Sequence, residues 1–214
     1  MRLETLVLDA VDKASRLDYT DFNQELLELP GFSGKMTRVM LSRLLSNPGM
    51  RYLEIGVWGG STFCSALHNN KPDYAAAIDN FSQTWEDDFG FNPARKFEEN
   101  ARKFIKHRFD FFDVDCFKFD TKELPVPINC YFYDGGHLEY EQYEALAYYK
   151  NAMDNEFIYI VDDANWLDVK IGTYRAIRDN DLFIQREWML PTRYNGDYNS
   201  WWNGLGIWVL RKGQ

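Results

Sequence analysis

The sequence is poor in the features that mark secreted, membrane-spanning and phosphate-tracking proteins. It has three cysteines, Cys64, Cys116 and Cys130, far apart and with no CxxC pair. That excludes a disulfide framework and fits small buried thiols in a reducing compartment. No stretch approaches the ~20 apolar residues needed to span a bilayer. The opening segment MRLETLVLDAVDKASRL carries acids along its length and lacks the apolar centre of a signal peptide. A cytoplasmic chain with no membrane partner is expected. No local cluster of Lys and Arg stands out, and 33 acidic residues against 24 basic ones leave a net charge of −9. Such a surface repels phosphate backbones, so nucleic acid is not expected as a partner. Repeats and low-complexity linkers are absent as well.

What is present suits one α/β domain. The chain has 214 residues, 45% of them hydrophobic, enough to bury a core without disulfides. Residues 3–17 and 35–45 repeat their apolar positions at helical spacing, joined by the loop Leu29-Pro30-Gly31-Phe32-Ser33-Gly34. They read as an N-terminal helical extension over residues 1–48. From residue 49 to 214, strands alternate with helices. Strands are predicted at 51–56, 74–79, 109–113, 128–134 and 156–162, and a closing pair at 183–190 and 206–211. Helices are predicted at 61–69, 93–107, 139–153 and 169–179, with Ser61 or Thr62 as a cap for the first of these. The run Phe157-Ile158-Tyr159-Ile160-Val161 is apolar on both faces, as a central parallel strand is. The pattern predicts a doubly wound, Rossmann-like, seven-stranded sheet, mostly parallel with one antiparallel strand. Ligands of such sheets sit beyond the carboxyl ends of the strands, so the residues after each strand should carry the chemistry.

The first strand ends Glu54-Ile55-Gly56-Val57-Trp58-Gly59-Gly60-Ser61. A dinucleotide fingerprint would need glycine where Trp58 stands, which counts against NAD and FAD, and no Lys follows to make a phosphate-binding loop. A nicotinamide oxidoreductase also lacks its Tyr-x-x-x-Lys pair here. The second strand ends in Asp79, 19 residues after Gly60, where an acid can accept both hydroxyls of a ribose. Asp134 follows the fourth strand, and Asp162 and Asp163 follow the fifth. Carboxylates at the ends of buried adjacent strands repel one another, and a divalent cation relieves that. All-oxygen ligands favour Mg²⁺, Mn²⁺ or Ca²⁺ over zinc.

The spacing E-x-G-x-x-x-G of Glu54, Gly56 and Gly60 resembles the first motif of class I S-adenosylmethionine-dependent methyltransferases. D-G-x-H-x-Y-E from Asp134 and V-D-D-x-x-W from Val161 resemble the branch that holds family 24 and cephalosporin-hydroxylase-like proteins. They are also similar to metal-dependent macrolide-sugar O-methyltransferases. The likeness covers about residues 50 to 180. It implies that Glu54, Gly56, Trp58, Gly60 and Ser61 hold the methionine part of S-adenosylmethionine, that Asp79 and Asn80 hold its ribose, and that Asp115 and Cys116 meet its adenine. Asp113 is the alternative to Asp115. Asp134 is expected at the cofactor as well as among the metal ligands, where Asp134, Asp162 and Asp163 would hold Mg²⁺.

The reaction so implied is O-methylation of a sugar or other small polyhydroxylated acceptor. A metal would lower the pKa of the acceptor hydroxyl, and His137 or Asp134 would take its proton. Several metal-dependent members lack a histidine at position 137, which leaves metal, histidine or both as the activating device. The aromatic segments 81–92 and 191–203 read as lids over a flat polar acceptor. The alternatives are a binding or scaffold protein on the same fold and a methyltransferase acting on a macromolecule. The N-terminal helices are available for a homodimer.

Overall fold

The computed structural model describes residues 2–17, 19–83 and 89–213. Seven strands form one sheet: β1 (Arg51–Ile55), β2 (Tyr74–Asp79), β3 (Asp110–Asp113), β4 (Ile128–Tyr133), β5 (Met153–Val161), β6 (Leu182–Leu190) and β7 (Leu205–Lys212). Their spatial order is β3-β2-β1-β4-β5-β7-β6. The first five run parallel, and β7 inserts antiparallel between β5 and β6. This is the predicted Rossmann-like sheet with its one reversed strand. The chain winds outward from β1 through β2 to β3 and then returns to β4 on the other side. The switch in direction therefore opens between β1 and β4, where such folds bind ligands.

Side chains alternate between the two faces. Tyr52, Ala75, Ala77, Cys130, Phe132, Ile158, Ile160, Ile207 and Val209 pack under α1 (Leu3–Ser15), α2 (Gln24–Leu27), α3 (Lys35–Leu45), α4 (Ser61–Leu67) and α5 (Pro93–Phe104). Leu53, Ile55, Tyr131, Tyr133, Tyr159 and Trp208 pack under α6 (Glu139–Tyr149) and α7 (Leu167–Asp179). Both faces are covered, which is why the central strands read as unbroken apolar runs. Residues 1–48 share one of these cores.

Two boundaries differ from the sequence reading. The helix expected to reach Met153 stops at Tyr149, passes through a 3₁₀ turn at Lys150–Ala152, and β5 starts at Met153. The start of α4 has no side-chain cap, because Gly60 occupies the cap position in the left-handed region. Ser61 Oγ instead meets Ser33 Oγ at 3.2 Å, and Thr62 Oγ1 donates to Glu54.

The turns after β1 and β4 touch. Gly56 has φ +86°, and a Cβ there would lie 1.9 Å from the Asp134 carbonyl oxygen. Gly56→Ala is expected to destabilise the fold by about 3 kcal/mol or more, through strain and overlap together. Chemical denaturation of the variant beside the wild type measures this.

Candidate active site

A cleft of about 550 Å³ lies at the carboxyl ends of β1, β2, β4 and β5. That volume suits a nucleoside-sized ligand with room beside it. Gly56, Trp58, Ser61, Asp79, Asn80, Asp115, Cys116, Asp134, His137, Asp162 and Asp163 all line it, so eleven of the residues singled out in the sequence meet in one place. Glu54 and Gly60 do not line it.

The cleft begins at the glycine turn. Trp58 takes a left-handed backbone, φ +42°, to turn the chain into α4. The turn is pinned from outside: Asn100 of α5 donates to the Gly59 carbonyl at 2.7 Å, and Gly60 N–H closes on Val57 at 2.7 Å. Asp79 holds it from below. Its two carboxylate oxygens accept the N–H groups of Trp58 (2.8 Å) and Phe81 (2.7 Å). Asp79 lines the cleft, which fits an acid that accepts two ribose hydroxyls. Burial raises its pKa, against the pull of these backbone donors.

Further along, Asp115 and Cys116 reach the cleft, whereas Asp113 is exposed and lies outside it. Asp115 accepts from Phe117 N–H at 3.0 Å, and burial pushes the Cys116 thiol up to about 12, so it is not a nucleophile.

Glu54 points to the opposite face of β1. It is fully buried beneath α4, where Tyr52 and Thr62 hydroxyls donate to its two oxygens at 2.5 Å each. Burial pushes its pKa up to about 8 from 4.5. In the unfolded chain this acid ionises near 4.5, in the fold near 8. Between those values folding takes up a proton, so stability falls as pH rises through that window. Glu54→Gln should flatten that fall in stability between pH 5 and pH 8. Denaturant titrations at pH 5 and pH 8 test it.

Beyond β4 and β5 the carboxyl groups crowd. Asp163 has φ +57°, a strained conformation that swings its side chain across the cleft. One oxygen accepts from Asn203 Nδ2 at 2.6 Å, and the other lies 2.5 Å from His137 Nε2. The imidazole is in charge contact there, its N–H not aimed for a hydrogen bond. Trp166 meets the ring edge-on at 5.0 Å. Burial works against the imidazolium, but Asp163, Asp134 and Glu141 outweigh it and raise the His137 pKa. Burial and then Asp163 push Asp134 up to about 7. Asp162 is 3% exposed, its Oδ1 has no partner, and burial with the neighbouring Asp134 and Asp163 raises its pKa.

The arrangement gives no support to the expected Mg²⁺ site. Among the described residues no group of three or more His, Cys, Asp or Glu converges to hold a metal. Asp163 is turned to Asn203 and His137, and that leaves two acids where three ligands were expected.

Several residues that build the site gave no signal in the sequence. Arg38 is buried and spends its guanidinium on the carbonyls of Leu26, Leu27, Leu29 and Ser33 and on Ser33 Oγ. Burial lowers its pKa to about 10. It thereby fixes the loop that presents Phe32 and Ser33 to the cleft. The second aromatic segment is docked, not loose: Lys35 and Met36 N–H donate to Tyr198 and Ser200 carbonyls, and Tyr198 OH donates to Leu27. It delivers Trp202 and Asn203 to the cleft. In the first segment Phe89 and Phe91 pack on Trp58, while residues 84–88, Trp85 included, lie outside the described residues.

No protein family and none of the curated proteins matches this sequence. Solved structures do match its fold. TrmK from M. capricolum, in complex with S-adenosylhomocysteine, superposes with a TM-score of 0.56 at 16% identity, over 83% of this chain and 68% of its own. A Pyrococcus horikoshii protein assigned as an RNA methyltransferase gives 0.54 at 12%, over 100% and 99%. An rRNA methylase from Streptococcus thermophilus gives 0.53 at 11%, over 84% and 96%. The fold is that of class I S-adenosylmethionine-dependent methyltransferases. The expectation of a small-molecule acceptor and no nucleic acid is overturned by these neighbours, two of which are described as RNA methyltransferases. Net charge averages the whole surface and does not decide what one cleft admits. Among the described residues no helix is long and apolar enough to cross a membrane.

Proposed function

We propose that this chain is an S-adenosylmethionine-dependent methyltransferase, and that its acceptor is an unstacked nucleoside of RNA. The observation that carries the cofactor assignment is the Asp79 carboxylate, which lines the cleft and is tied to the glycine turn by Trp58 N–H. Asp115 and Cys116 are assigned to the adenine end, Trp58 and Ser61 to the methionine end.

When bound, S-adenosylmethionine supplies an electrophilic methyl on a sulfonium. The chain's part is to hold the acceptor in line and to manage its proton. His137 is assigned as the base. Asp163 sits against Nε2 in charge contact, which leaves Nδ1 to take the proton, with Trp166 edge-on to the ring. Trp166 and Trp202 line the cleft as well, and a flipped base can stack on aromatic rings of this kind. The RNA assignment rests on those rings and on the neighbours' descriptions. The narrower likeness to sugar O-methyltransferases rests on short motifs alone. A cytoplasmic setting goes with the three free thiols.

The test is incorporation of tritiated methyl from S-adenosylmethionine into total RNA, followed by digestion to nucleosides. Label in one nucleoside is expected. Absence of label from RNA, with a protein that binds S-adenosylhomocysteine, would remove RNA as the acceptor.

A further inference from the structure

The cleft holds six carboxyl groups, those of Asp79, Asp115, Asp134, Glu141, Asp162 and Asp163, and among the described residues no lysine or arginine lines it. Asp79 and Asp115 belong to the cofactor end. The other four line the rest of the cleft, with only His137 as a basic group among them. The ionised members of this set oppose the formation of an anion nearby and favour a cation. We infer that the group methylated is a nitrogen, one that bears positive charge as its new bond forms, and not a hydroxyl oxygen.

A second observation points the same way. Asp162 Oδ1 is buried in the cleft wall with no hydrogen-bond donor. Buried acceptors of this kind find a partner in the working complex. Two proton acceptors thus face the acceptor group, His137 and Asp162. A nucleophilic hydroxyl has one hydrogen and can satisfy one of them. An amino or amidine nitrogen has two hydrogens, one to pass on and one to donate. Trp166, 37% exposed beside His137, and Trp202 add ring faces that attract a developing cation.

The step balances without a further reagent. The nitrogen lone pair attacks the methyl carbon, forming N–C as the C–S bond breaks. The C–S electron pair stays on sulfur as a neutral thioether, and positive charge passes to nitrogen. One N–H proton then moves to His137 Nδ1, while the remaining N–H donates to Asp162 Oδ1.

This inference rests on the proposed methyltransferase function, and one experiment separates their failures. S-adenosylhomocysteine is titrated first. Three adenosyl probes follow, each with a three-carbon arm on a nitrogen in place of sulfur, ending in an ammonium, a hydroxyl or a carboxylate. The ammonium arm is expected to bind about tenfold tighter than the hydroxyl arm, and the carboxylate arm more weakly than either. In Asp162→Asn the ammonium advantage should fall below about threefold. The wild-type series stands alone if that variant does not fold. An ammonium advantage below about threefold in wild type would overturn the inference while leaving the cofactor assignment intact. No binding of S-adenosylhomocysteine would overturn the proposed function itself.

Discussion

Replacing His137 with alanine is expected to slow methyl transfer by about 10²–10⁴-fold, the range that a positioned acid–base group supplies. The affinity for S-adenosylhomocysteine should change by less than about threefold, because the loss falls on the step and not on cofactor binding. Asp163→Asn isolates the carboxylate that holds the ring. Asparagine tolerates the left-handed backbone at this position, so the substitution removes charge without forcing the turn to move. Asp163 raises the His137 pKa. The base must be neutral to act, so the rate falls on the acid side of that pKa. Removing the charge lowers the pKa and moves the acid limb of the rate profile to lower pH, together with a loss of rate from the freed ring. A profile whose acid limb stays in place would remove Asp163 from that role.

Asp79→Ala is the second large effect. A carboxylate that accepts two ribose hydroxyls contributes about 1.5–3 kcal/mol for each charged hydrogen bond, so its loss should weaken S-adenosylhomocysteine by about 100-fold or more. The same substitution strips acceptors from the N–H groups of Trp58 and Phe81. The free protein should therefore also lose about 1–3 kcal/mol of stability. Asp79→Asn keeps one oxygen and should fall between. Calorimetry gives the affinities and denaturant melts give the stabilities. An unchanged affinity in a folded Asp79→Ala protein would move the ribose elsewhere.

Much of the fold was legible because both faces of the sheet are covered, which leaves apolar runs of strand length between helical repeats. The cleft was legible at its edges, since each acid sits directly after a strand and the topology brings strand ends together. What escaped was the direction of side chains. Glu54 alternates with Leu53 and Ile55, and so turns under α4 with Tyr52, away from the ligand side. The strand period could have placed it. Asp163 could not be placed that way, since its orientation depends on a left-handed backbone and on Asn203, 40 residues away in the sequence. The expected Mg²⁺ site lacks support for the same reason. Asn100 and Arg38 act through contacts with the Gly59 carbonyl and the 26–33 loop that no local pattern announces. The acceptor was misread because net charge describes the whole surface and not one mouth lined with rings.

The most direct test of the cofactor assignment is a calorimetric titration with S-adenosylhomocysteine, first in EDTA and then with excess Mg²⁺. Micromolar binding, equal in both buffers, is predicted, since Asp79 and the glycine turn hold the ligand. A folded protein that gives no binding in either buffer would contradict the assignment, and the glycine turn would then serve the fold alone.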